Sequence, residues 1–242
     1  MNAGKKVAIA ITVALLLVLA VRVALIYHER NDAGPAPQES AKVDPDELVF
    51  LKKQRPSSLA DEKQLIGKTI WVSAGGQLDY YPTSGHRADY AHSAGTLLGA
   101  QPLAIKDAFE QVAPKSATFR IPGGDRHVLL AFTLPGSAKL YAVPVGYRQG
   151  SDYTFMSDDI FFYDDPHQLF NYWSPKIWQA IDAHQVVLGM NERQVSLSLG
   201  QVSQSTSQDY GNRMVVFDNL GKPQAVTFVG DHVTAFRPDQ GF

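Results

Sequence analysis

The chain has 242 residues, 24 acidic against 22 basic side chains, a formal net charge of −2 and no cysteine. The balanced charge excludes a dedicated nucleic-acid binder, which shows a basic excess. The missing thiol excludes disulfides, thiolate metal and iron–sulfur centres, a cysteine nucleophile and a lipid-modified N-terminal cysteine.

Residues 1–6 form a short tail ending in Lys5 and Lys6, and residues 7–27 read VAIAITVALLLVLAVRVALIY with Arg22 as the one charge. About 20 apolar residues cross the hydrocarbon core as a helix, and an arginine near the end of such a run carries its guanidinium to the interface. The preceding lysines place the N-terminus in the cytoplasm. These features predict a signal anchor at residues 7–27 with the lipid bilayer as partner. They imply a single-pass, N-in protein of the cytoplasmic (inner) membrane, with its C-terminal domains on the periplasmic, extracytoplasmic side. A signal peptide cleaved after Ala20 is the competing reading, and it would leave the greasy start VRVALIY. Residues 28–59, with Pro35, Pro37, Pro45 and Pro56 among charges and small side chains, read as a linker. Asp44 and Pro45 suit the cap and first position of a short helical turn there.

Residues 60–163 read as a β-rich module. KTIWVS, HVLLAFTL and AKLYAVPVGY are strand-like runs, the last two joined by Pro135-Gly136-Ser137. Pro144 lacks a ladder donor and belongs at an edge or a bulge. Residues 107–112 read as one helical turn ended by Pro114. Short strands with Gly/Pro punctuation predict a small barrel or sandwich, and the opening GKTIWVS resembles an SH3-like barrel.

Residues 164–238 change character. Asp164-Asp165-Pro166, with Asp164 or Asp165 as the cap, and Ser174-Pro175 are cap-plus-proline helix starts. Asn191 precedes Gln194 by three positions, a capping-box spacing, and Gly200 supplies a helix terminus. Residues 213–217, 225–229 and 233–236 are strand candidates joined by turns. The order is α-α-β-β-β with an antiparallel meander. The predicted class is α+β: transmembrane helix, linker, small β module, then this α-α-β-β-β module.

The last module resembles the SmpA/OmlA family, the small lipoprotein of the outer-membrane β-barrel assembly machine. The likeness rests on Val187-Leu188-Gly189-Met190-Asn191-Glu192-Arg193-Gln194-Val195, on Leu199-Gly200, on Val226-Thr227-Phe228 and on Gly230-Asp231-His232-Val233. Gly189, Met190, Asn191, Gln194, Val195 and Gly200 carry the family motif, in structural roles. The chain departs at Asn191, where the family has Ser or Thr, at Val202, where it has Pro, and in lacking the lipidated cysteine. The resemblance implies a fold and a scaffolding style of function in the cell envelope.

Four constellations invite chemistry. Ala91-His92-Ser93-Ala94-Gly95 has nucleophile-elbow composition, but it lacks the core strand before Ser93 and the helix after it. His86, Asp89 and His92 are metal-ligand types at three-residue spacing, without a fourth ligand. Asp158, Asp159, Asp164, Asp165 and His167 bracket the aromatic run Ile160–Tyr163; caps and turns account for them, and a hard-cation or acid–base site is the alternative. Phe170, Tyr172, Trp173 and Trp178 cluster at the module junction, and Tyr172, Trp173 and Trp178 form a candidate interaction surface. No P-loop, dinucleotide fingerprint or His-Glu-x-x-His motif is present. The sequence thus predicts no cofactor, no catalytic or metal residues, no nucleic acid and no small-molecule substrate. It predicts a non-enzymatic interaction or scaffold module with an envelope protein as partner. A metal-dependent hydrolase-like enzyme built on residues 158–167 is the alternative.

Overall fold

Strand β6 (Arg126–Thr133) sets the plan of the larger sheet: Val128, Leu130 and Phe132 enter one core cluster and Leu129 and Ala131 a second. Alternation with period two puts these sets on opposite faces, so this sheet is buried on both sides. The computed structural model describes residues 3–32, 44–75, 78–116 and 121–238. It divides into two compact units, Met1–Leu48 and Val49–Phe242.

The first unit contains α1 (Ala3–Asp32) and a 3-10 turn, Pro45–Leu48, at whose start the Asp44 carboxylate accepts the Asp46 N–H at 2.9 Å. Residues 33–43 of the expected linker lie outside the described residues. The membrane expectation is corrected here. Among the described residues, no helix is long and apolar enough to cross a membrane. The transmembrane component of the predicted fold class is therefore withdrawn. The single-pass, N-in placement in the cytoplasmic membrane goes with it, as does the periplasmic location of the rest that depended on that span.

The second unit holds two antiparallel sheets. Residues 49–58 are packed against it, with Val49 and Leu51 against a hydrophobic core and Phe50 86% exposed. Helix α2 (Leu59–Lys63) follows. The nine-stranded sheet is built from β1 (Thr69–Val72), β2 (Asp79–Ser84), β3 (Arg87–Ala88), β4 (Gly95–Thr96), β5 (Pro102–Val112), β6, β7 (Tyr141–Gln149), β8 (Asp152–Phe155) and β9 (Phe161–Phe162). Its order is β3-β2-β7-β6-β5-β1-β9, with β4 also on β2 and β8 also on β7. Pro144 sits at a bulge: Val128 faces Gly146 and Leu129 faces Pro144, leaving Val145 as the extra residue. Residues 107–112 are strand, not the expected helical turn. They continue β5 past a bulge at Lys106 and pair with β6 from Asp107 to Val112; a partner strand overrides the helix-forming composition of DAFEQV.

Helices α3 (Ser157–Ile160), α4 (Pro166–Leu169), α5 (Pro175–Asp182) and α6 (Glu192–Leu199) lead to the second sheet. Asp165 caps α4 and Ser174 caps α5, each with proline at the first turn. The Asn191–Gln194 capping box closes the start of α6. The second sheet is a meander of β10 (Val202–Ser205), β11 (Met214–Phe217), β12 (Gln224–Val229) and β13 (His232–Pro238). It has one more strand than expected, β10. Val215, Phe217, Val226 and Phe228 join Ile181, Met190, Val195 and Leu199 in its core.

Three glycines join the two sheets. A Cβ on Gly99 would lie 1.9 Å from the Leu197 carbonyl oxygen, one on Gly75 2.8 Å from the Gly99 nitrogen, and one on Gly200 2.5 Å from the Gly75 oxygen. Backbone therefore packs on backbone where the loops after β1 and β4 meet the end of α6, an approach only glycine permits.

Candidate functional site

The acidic string is divided among separate structural tasks. Asp158 accepts the Gln54 N–H at 2.8 Å on one carboxylate oxygen and the Arg55 N–H at 2.9 Å on the other, and Lys53 donates to its carbonyl. Partial burial pushes the Asp158 carboxyl up, but the two N–H donors outweigh it and leave the group below the usual carboxylate range. The carboxylate thus anchors the extended segment before α2. Asp165 accepts the His167 N–H at 2.9 Å as a cap. His167 lies 3.1 Å from Asp165 and 3.3 Å from Asp182 and stacks on Trp178 at 4.0 Å. Among the described residues, no three His, Asp or Glu side chains are placed to hold a metal ion.

Beneath this string lies a group that the sequence does not announce. Glu62 on α2 is 1% exposed; the Ser157 hydroxyl donates to one of its oxygens, and the other has no hydrogen-bond partner. Burial pushes its pKa up to about 7, Ser157 opposes that, and the Asp158 and Asp61 carboxylates add to it. The nearby Tyr163 hydroxyl is also buried without a partner. This is a costly polar core, with both Glu62 and Ser157 closed to solvent.

The other candidates are equally local. His86 pairs with Asp107 at 2.6 Å and stacks on Phe109, whereas His92 pairs with Asp89 at 2.8 Å. The two histidines therefore serve different carboxylates. Ser93 bonds only the Gly95 backbone, at 3.3 Å, in the turn before β4. Phe170 stacks on Trp173 at 4.3 Å, Trp173 lies 5.2 Å from Trp178, and the Trp178 indole donates to the Phe170 carbonyl at 3.3 Å. Trp173 and Trp178 are core residues of the second sheet, and Tyr172 is the exposed member of the proposed surface.

What the fold does present is strand edge. The main path of the larger sheet ends in β3 and β9, two residues each, and edges this short offer little to a partner strand; the four-residue β8, which starts at Asp152, lies off that path on β7. In the second sheet, the motif residues cover β13 at Val233, and Thr234 to Pro238 stay exposed. The Gly189 N–H donates to the Val233 carbonyl at 3.0 Å, and the Val233 N–H donates to the Met190 carbonyl at 2.7 Å. Gly189 has φ +87°, which lets the chain turn back onto β13, and Met190 is fully buried beneath. Arg237 and Pro238 end that strand with a charge and a residue that cannot donate.

The opposite side, β10, is open. All four of its residues are exposed, and residues 201–208, QVSQSTSQ, carry no charge. Ser205 faces Val215, and the Thr206 N–H donates to the Met214 carbonyl at 3.0 Å. Antiparallel strands alternate inward and outward groups, so the Ser205 N–H and C=O point away from β11. The strand is held firmly from behind. Arg213 forks onto the buried Glu192 carboxylate, with Nε 3.1 Å from Oε1 and 3.2 Å from Oε2, and also donates to the Ser207 carbonyl at 3.0 Å. Glu192 in turn accepts the Gly211 N–H at 3.1 Å. This buried ion pair fixes the β10–β11 connection to the start of α6. Sequence reading missed β10 because Ser and Gln have low strand preference; the signal on offer was a charge-free run after the Gly200 terminus.

Comparison with family models, with curated proteins and with solved structures finds no match to this chain.

Proposed function

We propose that the chain is a non-enzymatic interaction module that binds an extended protein segment by adding it as a strand to the free edge of β10. The observation that carries this reading is that β10 exposes its full length without a charge or a proline, whereas β3 and β9 are two residues long, β8 begins with a charged Asp152, and β13 is covered at Val233 and carries Arg237 and Pro238 at its end. Strand addition draws its affinity from main-chain hydrogen bonds, each with a net contribution of about 1 kcal/mol, and its selectivity from the flanking side chains. The likeness of the α-α-β-β-β block to the SmpA/OmlA family supports a scaffold role by analogy, and the division of the acidic string among cap and anchor tasks removes the main support for a hydrolase.

Photocrosslinking tests the reading. A benzophenone amino acid replacing Gln204 in the full chain, expressed in its native host, is expected to give discrete protein adducts. Those adducts should disappear when Ser205→Pro removes the outward donor. A crosslinker at Lys139, on the exposed stretch before β7, serves as the surface control. Adducts from position 204 no stronger than from position 139, or unchanged by Ser205→Pro, contradict the proposal.

A further inference from the structure

We propose that the chain cuts itself once, between Asp165 and Pro166, with the Asp165 carboxylate as nucleophile and the His167 imidazolium as proton donor. The bond is a tertiary amide: the proline nitrogen carries no hydrogen, and once protonated it leaves as a secondary amine. The nucleophile is held against it. Asp165 Oδ1 accepts the His167 N–H at 2.9 Å, and the ring closed by that bond contains the Asp165 carbonyl carbon and the proline nitrogen. His167 Nδ1 lies 3.1 Å from the same Oδ1, so both contacts leave Oδ2 to attack. His167 Nε2 lies 3.3 Å from Asp182, and the ring rests on Trp178. Asp165 and Asp182 are thus the charges that face the imidazole, and only an imidazolium donates to both.

The step balances without a redox partner. His167 passes its Nδ1 proton to Oδ1 while Oδ2 bonds to the Asp165 carbonyl carbon. The carbon–nitrogen bond breaks, the Oδ1 proton goes to the proline nitrogen, and a cyclic anhydride remains. Water opens it to a free Asp165 α-carboxylate, and the side chains of His167 and Asp165, 42% and 30% exposed, lie within its reach. This is a single self-modification and leaves the non-enzymatic reading in place. The cut falls between the two sheets. Val49, Leu51 and Phe162 of the first piece pack on the core of the second, so the pieces stay together under native conditions. The chain carries its own control. At Asp44–Pro45 the Asp44 carboxylate accepts the Asp46 N–H at 2.9 Å, the same turn with aspartate in place of His167.

Intact-mass measurement of the full chain, incubated at about pH 5 and at about pH 8 and then neutralised, tests this. Pieces 1–165 and 166–242 should accumulate faster at the lower pH, and at least about tenfold faster than pieces cut at Asp44–Pro45. Hydroxylamine should trap the anhydride as a hydroxamate on Asp165. His167→Gln, which keeps the backbone N–H of the cap, should slow the cut at least about tenfold. Asp165→Asn, which still caps, should stop it. The same chain unfolded in urea shows whether the folded geometry matters and does not depend on any variant folding. Equal rates at the two Asp–Pro bonds, or a cut as fast in urea as in the native chain, would mean ordinary acid lability only and overturn the proposal. An unchanged rate in His167→Gln overturns the role of the imidazole, and pieces formed without a hydroxamate overturn attack by the carboxylate.

Discussion

The two sheets of the second unit treat their edges differently. The nine-stranded sheet is buried on both faces, and its main path ends in two-residue strands, with the four-residue β8 beside it on β7. The four-stranded sheet buries one face under α5 and α6, covers β13 at Val233 with the Gly189-Met190 turn, and leaves β10 free along its length. The β10 edge, braced from behind by the Glu192–Arg213 ion pair, has a fixed geometry. The contrast directs the search for a partner to exposed backbone more than to any cluster of reactive side chains.

The largest expected effect separates the sheets. Glu192→Ala leaves Arg213 buried without its carboxylate and should cost about 4 kcal/mol. The loss should register in chemical denaturation, and in amide exchange it should appear first across β10 and β11 while β6 keeps its protection. Equal loosening of both sheets would mean that the ion pair braces the whole unit and not one edge.

Gly99→Ala should act on both sheets at once. Its added methyl meets the Leu197 carbonyl at 1.9 Å, backbone against backbone, where no side chain can move aside. Destabilisation of about 3 kcal/mol is expected, with one cooperative transition shifted to lower denaturant. Two separated transitions would show that the sheets fold independently and that the glycine junction is a mere contact.

Glu62→Gln works in the other direction and touches only the larger sheet's side. The folded-state pKa of about 7 lies above the ordinary glutamate value of 4.5. The folded state therefore holds a proton that the unfolded chain releases. The contribution favourable to folding is complete below pH 4.5 and fades as pH rises to 7, so stability falls through that window. The full shift corresponds to about 3 kcal/mol, and imperfect bonding of the amide offsets part of it. Glu62→Gln should stabilise the chain by about 2 kcal/mol at pH 8, have little effect at pH 4, and flatten the pH profile between them. An unchanged slope in thermal melts across pH 4.5–7.5 would show that Glu62 is not the group responsible.

Parts of this architecture were legible in the sequence. Asp165, Ser174 and Asn191 announced their helices because a cap is a local device, complete within four residues. The apolar runs of β6 and β7 announced strands for the same reason, and Pro144 pointed to the bulge it occupies. What escaped is what distant residues decide. DAFEQV became strand because β6 pairs with it, and Val49 and Leu51 left the linker because a core lies beneath them. Glu62 sits among charges in LADEKQL, where nothing local signals burial; its hydrogen-bond partner, Ser157, lies far along the chain. The candidate site was least legible of all. Ser and Gln in β10 carry no periodic signal, and the free backbone groups that define the site have no counterpart in side-chain composition. The apolar segment at residues 7–27 misled in the other direction, since composition suggested a span that no described helix supplies.

Amide hydrogen exchange at two neighbouring residues tests the central claim most directly. In the dilute chain, the Thr206 amide, bonded to the Met214 carbonyl, should be protected at least about tenfold more than the Ser205 amide, which points outward. Adding a partner identified by crosslinking should slow exchange at Ser205 and leave Thr206 unchanged. Equal protection of the two amides in the dilute chain would mean that the β10 edge is already covered, which would contradict the account.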